Sequence, residues 1–110
     1  MTGIVLVTDD TFEDEVIRSR LPVVVDFYAD WSVPSRAVEL SLETLSESLT
    51  GRVKFTKVNV NDSSAVANSF GIHTIPTYLF VDAGREKGRE VGVVGPRELR
   101  SILQKHFSFK

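Results

Sequence analysis

Val23-Val24-Val25-Asp26-Phe27-Tyr28-Ala29-Asp30-Trp31-Ser32-Val33-Pro34-Ser35-Arg36 is the stretch that decides the fold. Val23 to Tyr28 is a near-continuous apolar run, the pattern of a central strand buried on both faces. It carries one charged residue, Asp26. Pro34 then opens a long helix, in which Val38, Leu42, Leu45 and Leu49 recur at steps of four, three and four and share one face. A strand that ends where a helix begins has a physical use. Free backbone N–H groups and the positive end of the helix dipole favour negative charge there. Ser32 and Ser35 stand at that junction, near enough within one turn for their side chains to meet.

Outward from this stretch, strand-like and helix-like segments alternate. Upstream, Gly3 to Thr8 is rich in β-branched residues and predicts a strand. Asp10 or Thr11 is expected to cap a helix that turns Phe12 and Val16 inward, and Leu21-Pro22 closes it. Downstream, Gly51 ends the long helix, and Val53 to Val60 predicts the next strand. Asp62 and Ser63 are expected to cap a short helix holding Ala65, Val66 and Phe70. Thr77 to Val81 predicts a strand, Asp82-Ala83-Gly84-Arg85 a turn, and Glu90 to Val94 the return strand of a hairpin. Gly95-Pro96 starts a last helix with Leu99, Ile102 and Leu103 facing in. The order β-α-β-α-β-α-β-β-α implies an α/β protein with a mixed central sheet and helices on both faces.

Size and charge narrow the function. The chain has 110 residues, enough for one compact domain over 1–110 with one continuous core. No repeat or linker divides it. Net charge is -2 and no basic stripe appears, which argues against nucleic acid and anionic membrane as partners. The N-terminus lacks the profile of a signal peptide, and no apolar run approaches the roughly 20 residues that span a bilayer, so a cytoplasmic protein is expected. There is no cysteine, which removes disulfides, thiolate metal sites and cysteine nucleophiles together. The two histidines and scattered carboxylates make no metal-ligand spacing, and no cofactor is expected.

Further residues carry a resemblance. Trp31-Ser32-Val33-Pro34-Ser35 resembles the Trp-Cys-Gly-Pro-Cys motif of the thioredoxin family, keeping the Trp and the Pro and replacing both cysteines and the glycine. Val25-Asp26-Phe27-Tyr28-Ala29 resembles the strand that leads into that motif, and Phe55-Thr56-Lys57-Val58-Asn59-Val60-Asn61 the strand carrying its buried lysine partner. Gly71-Ile72-His73-Thr74-Ile75-Pro76-Thr77 resembles the loop with the family's cis-proline, here Pro76, and Gly84 and Gly92 match the hairpin and groove glycines. The resemblance covers essentially the whole chain. It implies the thioredoxin fold, a mixed five-stranded sheet with four flanking helices.

The resemblance also implies roles. Ser32 takes the place of the attacking thiolate and Ser35 that of the resolving thiol. Asp26 becomes the buried carboxylate that moves a proton to or from the resolving thiol, with Lys57 tuning it. Trp31, Val33, Pro34, Ile75, Pro76, Gly92 and Val93 line a flat apolar groove, where backbone groups near Ile75 pair with an extended substrate segment. The implied partners are proteins with disulfides and a dithiol reductase, and the chain is expected to be a monomer. A cysteine at such a helix start has its thiolate stabilised, thioredoxin itself being a standard example of the effect.

Three departures stand out. Serine cannot replace the thiolate, since an alcohol is far less acidic than a thiol and forms no bridge. Val33 adds bulk where the motif has glycine. Leu40 lies where many family members have a helix-kinking proline, which predicts a straighter helix.

Blander readings stand beside these. Serine is favoured at helix starts in any protein. Asp26 also reads as a structural carboxylate satisfied by Lys57. Ser32, His73 and Asp26 do not make a hydrolase triad, because there is no Gly-x-Ser-x-Gly elbow and nothing orients the histidine. His73 is expected to border the groove, and His106 to serve the dipole of the last helix. Two accounts explain the missing thiols. The preferred one is a redox-active parent changed from cysteine to serine at both positions. The other is a natural relative that lost redox chemistry and kept the groove as a protein-binding or chaperone-like surface.

Overall fold

A computed structural model describes residues 3–29, 34–92 and 94–107, with residues 34–39 described by their backbone alone. Its strands are β1 (Ile4–Leu6), β2 (Val23–Tyr28), β3 (Lys54–Asn59), β4 (Thr77–Asp82) and β5 (Arg85–Val91). Its helices are a π-helical turn (Glu13–Ile17), α1 (Pro34–Ser48), α2 (Ser64–Ser69) and α3 (Pro96–His106). The five strands form one sheet in the order β1-β3-β2-β4-β5. β3 runs parallel to β1 and β2, while β4 runs antiparallel to β2 and β5. This is the mixed, helix-flanked sheet expected from the sequence.

β2 lies at the centre because it is apolar on both faces. Val24 belongs to a core shared with Leu42, Leu45 and Leu49 from the α1 segment and Leu99 and Leu103 from α3. Val23, Val25 and Phe27 face the other way, into a core with Val16, Val66 and Leu79. Each fully buried Leu, Val or Phe contributes about 1.5–3 kcal/mol by leaving water. The two cores therefore hold α1 and α3 on one face and the π-turn and α2 on the other.

α1 runs without interruption from Pro34 to Ser48. Leu40 is 66% exposed. Gly51, with φ of +82°, occupies the left-handed region just past the helix end, where glycine is favoured. Val38 lies among the residues described by backbone alone, so its expected inward face is outside the described side chains.

Local expectations at the helix starts are corrected. Neither Asp10 nor Thr11 caps the first helix. The cap position falls on Phe12, no side chain caps it, and the Arg18 N–H reaches the Glu13 carbonyl at 3.0 Å, closing a π-type ring. The N-cap position of the short helix α2 falls on Ser63, as expected, but no side chain of Asp62 or Ser63 bonds the helix start. Asp9 reaches across from before the π-turn, its carboxylate accepting from the Ala65 and Val66 N–H groups at 3.3 and 2.9 Å. Ala65 faces solvent, and Ala67 takes the inward position with Val66.

The largest correction concerns β5, which spans Arg85–Val91 rather than Glu90 to Val94. Arg85-Glu86-Lys87-Gly88-Arg89-Glu90 is almost all polar, so hydrophobic alternation could not mark it. It is an edge strand, and charged residues on an edge discourage pairing with other chains. Ala83 and Gly84 form the hairpin turn, with φ of +53° and +78°. Positive φ at both central residues matches the right-handed twist of the flanking strands. Among the described residues, no helix is long and apolar enough to cross a membrane.

Candidate functional site

β2 carries its one charged residue, Asp26, two places before the strand ends at Tyr28. Asp26 is only 2% exposed. It lies opposite Lys57 of β3 on one side and Tyr78 of β4 on the other. Leu6 of β1 lies opposite Lys57, and Glu90 of β5 opposite Tyr78. Paired residues leave a sheet on the same face. Leu6, Lys57, Asp26, Tyr78 and Glu90 thus form one row across all five strands, on the face covered by α1 and α3. Lys57 Nζ sits 5.4 Å from the Tyr28 ring centroid, a cation–π arrangement at the strand edge.

A second group of residues shapes the loop beside this row. The Ile75–Pro76 peptide bond is cis, as the resemblance implies for Pro76. Pro76 is buried and Ile75 half-buried. The Gly92 N–H donates to the Pro76 carbonyl at 2.9 Å, which fastens the chain just past β5 to the lead-in of β4. The Thr77 hydroxyl donates to the Thr74 carbonyl. Further on, the Ser41 hydroxyl of α1 donates to the Val94 carbonyl at 2.9 Å across a buried contact. Gly92 has φ of +103°, so a side chain there is opposed by backbone conformation even though a Cβ would meet open space.

These ties bring three segments together: the Ile75-Pro76 loop, the Gly92 turn and helix α1. Pro34 and Ser35 lie in the first turn of α1, with their side chains outside the described set. Trp31, Ser32, Val33 and Val93 lie outside the described residues. His73 is exposed in the loop before β4. His106 falls in the last turn of α3, as expected, and its ring stacks on Phe80 at 5.2 Å and 28°. Among the described residues, no group of histidine and carboxylate side chains could hold a metal ion.

Two residues of the site were not singled out by the sequence. Ser41 reads as an ordinary polar residue of a helix, and only the fold shows that it anchors Val94. Tyr78 reads as a packing residue of β4, and only the register sets it beside Asp26. Burial, and after it the charge of Asp26, push the Tyr78 phenol well above the ordinary tyrosine range.

A mixed sheet whose central strand carries a buried carboxylate toward a strand-to-helix junction, with a cis-proline loop beside it, defines a protein with the thioredoxin fold. Comparison with known proteins agrees. The thioredoxin family model matches residues 3–105. Thioredoxin 1 of a Nostoc species is 37% identical over 106 residues, covering 96% of this chain and 99% of that one. Thioredoxin of Rickettsia bellii is 39% identical over 87 residues, covering 79% and 83%. Thioredoxin of Haemophilus influenzae is 31% identical over 106 residues, covering 96% and 99%. The chain belongs to the thioredoxin family. Its scaffold is that of a family acting on protein disulfides, and it contains no cysteine.

Proposed function

We propose that this chain is a single-domain, monomeric, cytoplasmic thioredoxin scaffold built for protein-disulfide exchange and held redox-inactive by Ser32 and Ser35. The observation that carries this reading is Asp26, a carboxylate buried at the heart of the sheet and in register with Lys57. A buried charge is costly to folding unless something uses or pairs it. In the proposed reading its use is proton transfer at position 35, with Lys57 tuning it. Ser32 then occupies the position of the attacking thiolate and Ser35 that of the resolving thiol. Trp31, Val33, Pro34, Ile75, Pro76, Gly92 and Val93 form the surface that receives an extended segment of the substrate protein.

With thiols at both positions, the first thiolate attacks one sulfur of the substrate disulfide, breaking its S–S bond and forming a mixed disulfide. The other substrate sulfur leaves as a thiolate that takes a proton from water. The second thiol gives its proton to Asp26, attacks the first sulfur and releases the substrate as a dithiol. The chain is thereby oxidised to its own disulfide, and a dithiol reductase restores it. In this reading the serines are substitutions of a redox-active parent.

The second reading, a natural protein-binding module without redox chemistry, draws support from the loop ties. The bonds from Gly92 to Pro76 and from Ser41 to Val94 tie these segments together without any thiol. Restoring cysteine at positions 32 and 35 separates the two. Dithiol-driven reduction of a protein disulfide by S32C/S35C is expected in the first reading. A folded but inert S32C/S35C chain favours the second.

A further inference from the structure

Tyr78 lies directly across from Asp26 in the β2–β4 ladder, so the two side chains leave the sheet on one face. Tyr78 is fully buried, and its hydroxyl has no hydrogen-bond partner among the described residues. Buried hydroxyls without a partner are uncommon in folded proteins, and each calls for a physical reason. A phenylalanine would fill nearly the same space without placing an oxygen in the core. The phenol keeps its proton throughout the ordinary pH range, because burial and the Asp26 charge both oppose its ionisation. A phenolic O–H lies near the ring plane and has two orientations about its C–O bond, so its dipole can take the one that faces a neighbouring charge.

We propose that Tyr78 is a positioning residue for Asp26: its O–H dipole turns toward the carboxylate and holds Asp26 in the ionised form against the burial that favours the neutral acid. Lys57 of β3 acts in the same sense from the other side of Asp26, and Glu90 of β5, one place beyond Tyr78, acts against it. Two further titratable rings lie over this face: His106 of α3, stacked on Phe80 two residues along β4, and Tyr28, two residues along β2 from Asp26, beneath Lys57 Nζ at 5.4 Å. Among their described residues, α1 and α3 otherwise bring Leu42, Leu45, Leu99 and Leu103 to this core, which screen the pair poorly. The coupling belongs to the chain as it stands and does not depend on the proposed function. On that reading it would also set the pH at which Asp26 can accept a proton from a thiol at position 35.

The test follows the Asp26 carboxyl carbon by NMR against pH in the unmodified chain and in Tyr78→Phe. The titration midpoint is expected to rise by about half a pH unit or more when the hydroxyl is removed. An unchanged or lower midpoint in folded Tyr78→Phe overturns the proposal. A purely structural role for Tyr78 would move the melting temperature and leave that midpoint in place. A second measurement keeps the Tyr78 hydroxyl in place. With 3-fluorotyrosine at both tyrosine positions, the Tyr78 fluorine resonance is expected to move through the Asp26 midpoint, and a resonance blind to it overturns the proposal. Neither measurement involves a restored cysteine, so failure here is distinct from failure of the disulfide-exchange reading.

Discussion

The two faces of β2 are built on different principles. Toward the π-turn and α2 it presents Val23, Val25 and Phe27, all fully buried in an apolar core. Toward α1 and α3 it presents Val24 and then Asp26, flanked by Lys57 and Tyr78. One strand thus serves packing on one side and carries a polar row on the other. The first face can be explained by burial of surface alone. The second cannot, because an apolar residue at position 26 would satisfy the same fold at lower cost.

The comparison can be broken from the apolar side. Phe27→Ala removes a fully buried ring and is expected to cost about 3–5 kcal/mol, read by denaturant unfolding. A loss under about 1 kcal/mol would mean that this face is not tightly packed. From the polar side the sign reverses. Asp26→Leu is expected to raise stability by about 2 kcal/mol, since burying a charged group disfavours the folded state. A lower melting temperature in that variant would show that the carboxylate is a structural necessity.

Smaller effects sharpen the same contrast. Ser41→Ala removes the donor to the Val94 carbonyl and is expected to cost about 1–2 kcal/mol. Faster amide exchange around Gly92 and Val94, with β2 unchanged, would locate that loss in the loop. The weakest effect lies at alkaline pH. The unfolded Tyr78 phenol ionises near the ordinary value of about 10, and the folded one only above it. Its contribution is therefore fully present below that pH and is lost as pH rises beyond it. Tyr78→Phe is expected to lose stability less steeply than the unmodified chain over that alkaline range, and parallel curves would contradict the assignment.

The parts of the fold that could be read from sequence were those where burial leaves a periodic mark. The apolar run of β2 and the face that α1 presents with Leu42 and Leu45, continued by Leu49 just past its end, are of that kind. β5 was misplaced because an edge strand with one solvated face has no apolar run to display. The cap of α2 was missed because Asp9 acts across 56 or more residues, and local spacing carries no trace of such a bond. At the site, Asp26 was legible because a charge inside an apolar strand is conspicuous. Tyr78 was not, because an aromatic residue in a strand reads as packing until the register of β4 against β2 is known.

The central claim is the proposal made above, that Asp26 serves proton transfer at position 35 in a disulfide-exchange scaffold whose two thiols are replaced by serine. The most direct measurement compares protein-disulfide reduction by S32C/S35C with that by S32C/S35C/D26N. Turnover is expected in the first, slowed in the second by about a hundredfold or more where proton transfer limits the rate. A folded S32C/S35C chain that is inert, or that works equally well without the Asp26 carboxylate, would contradict it.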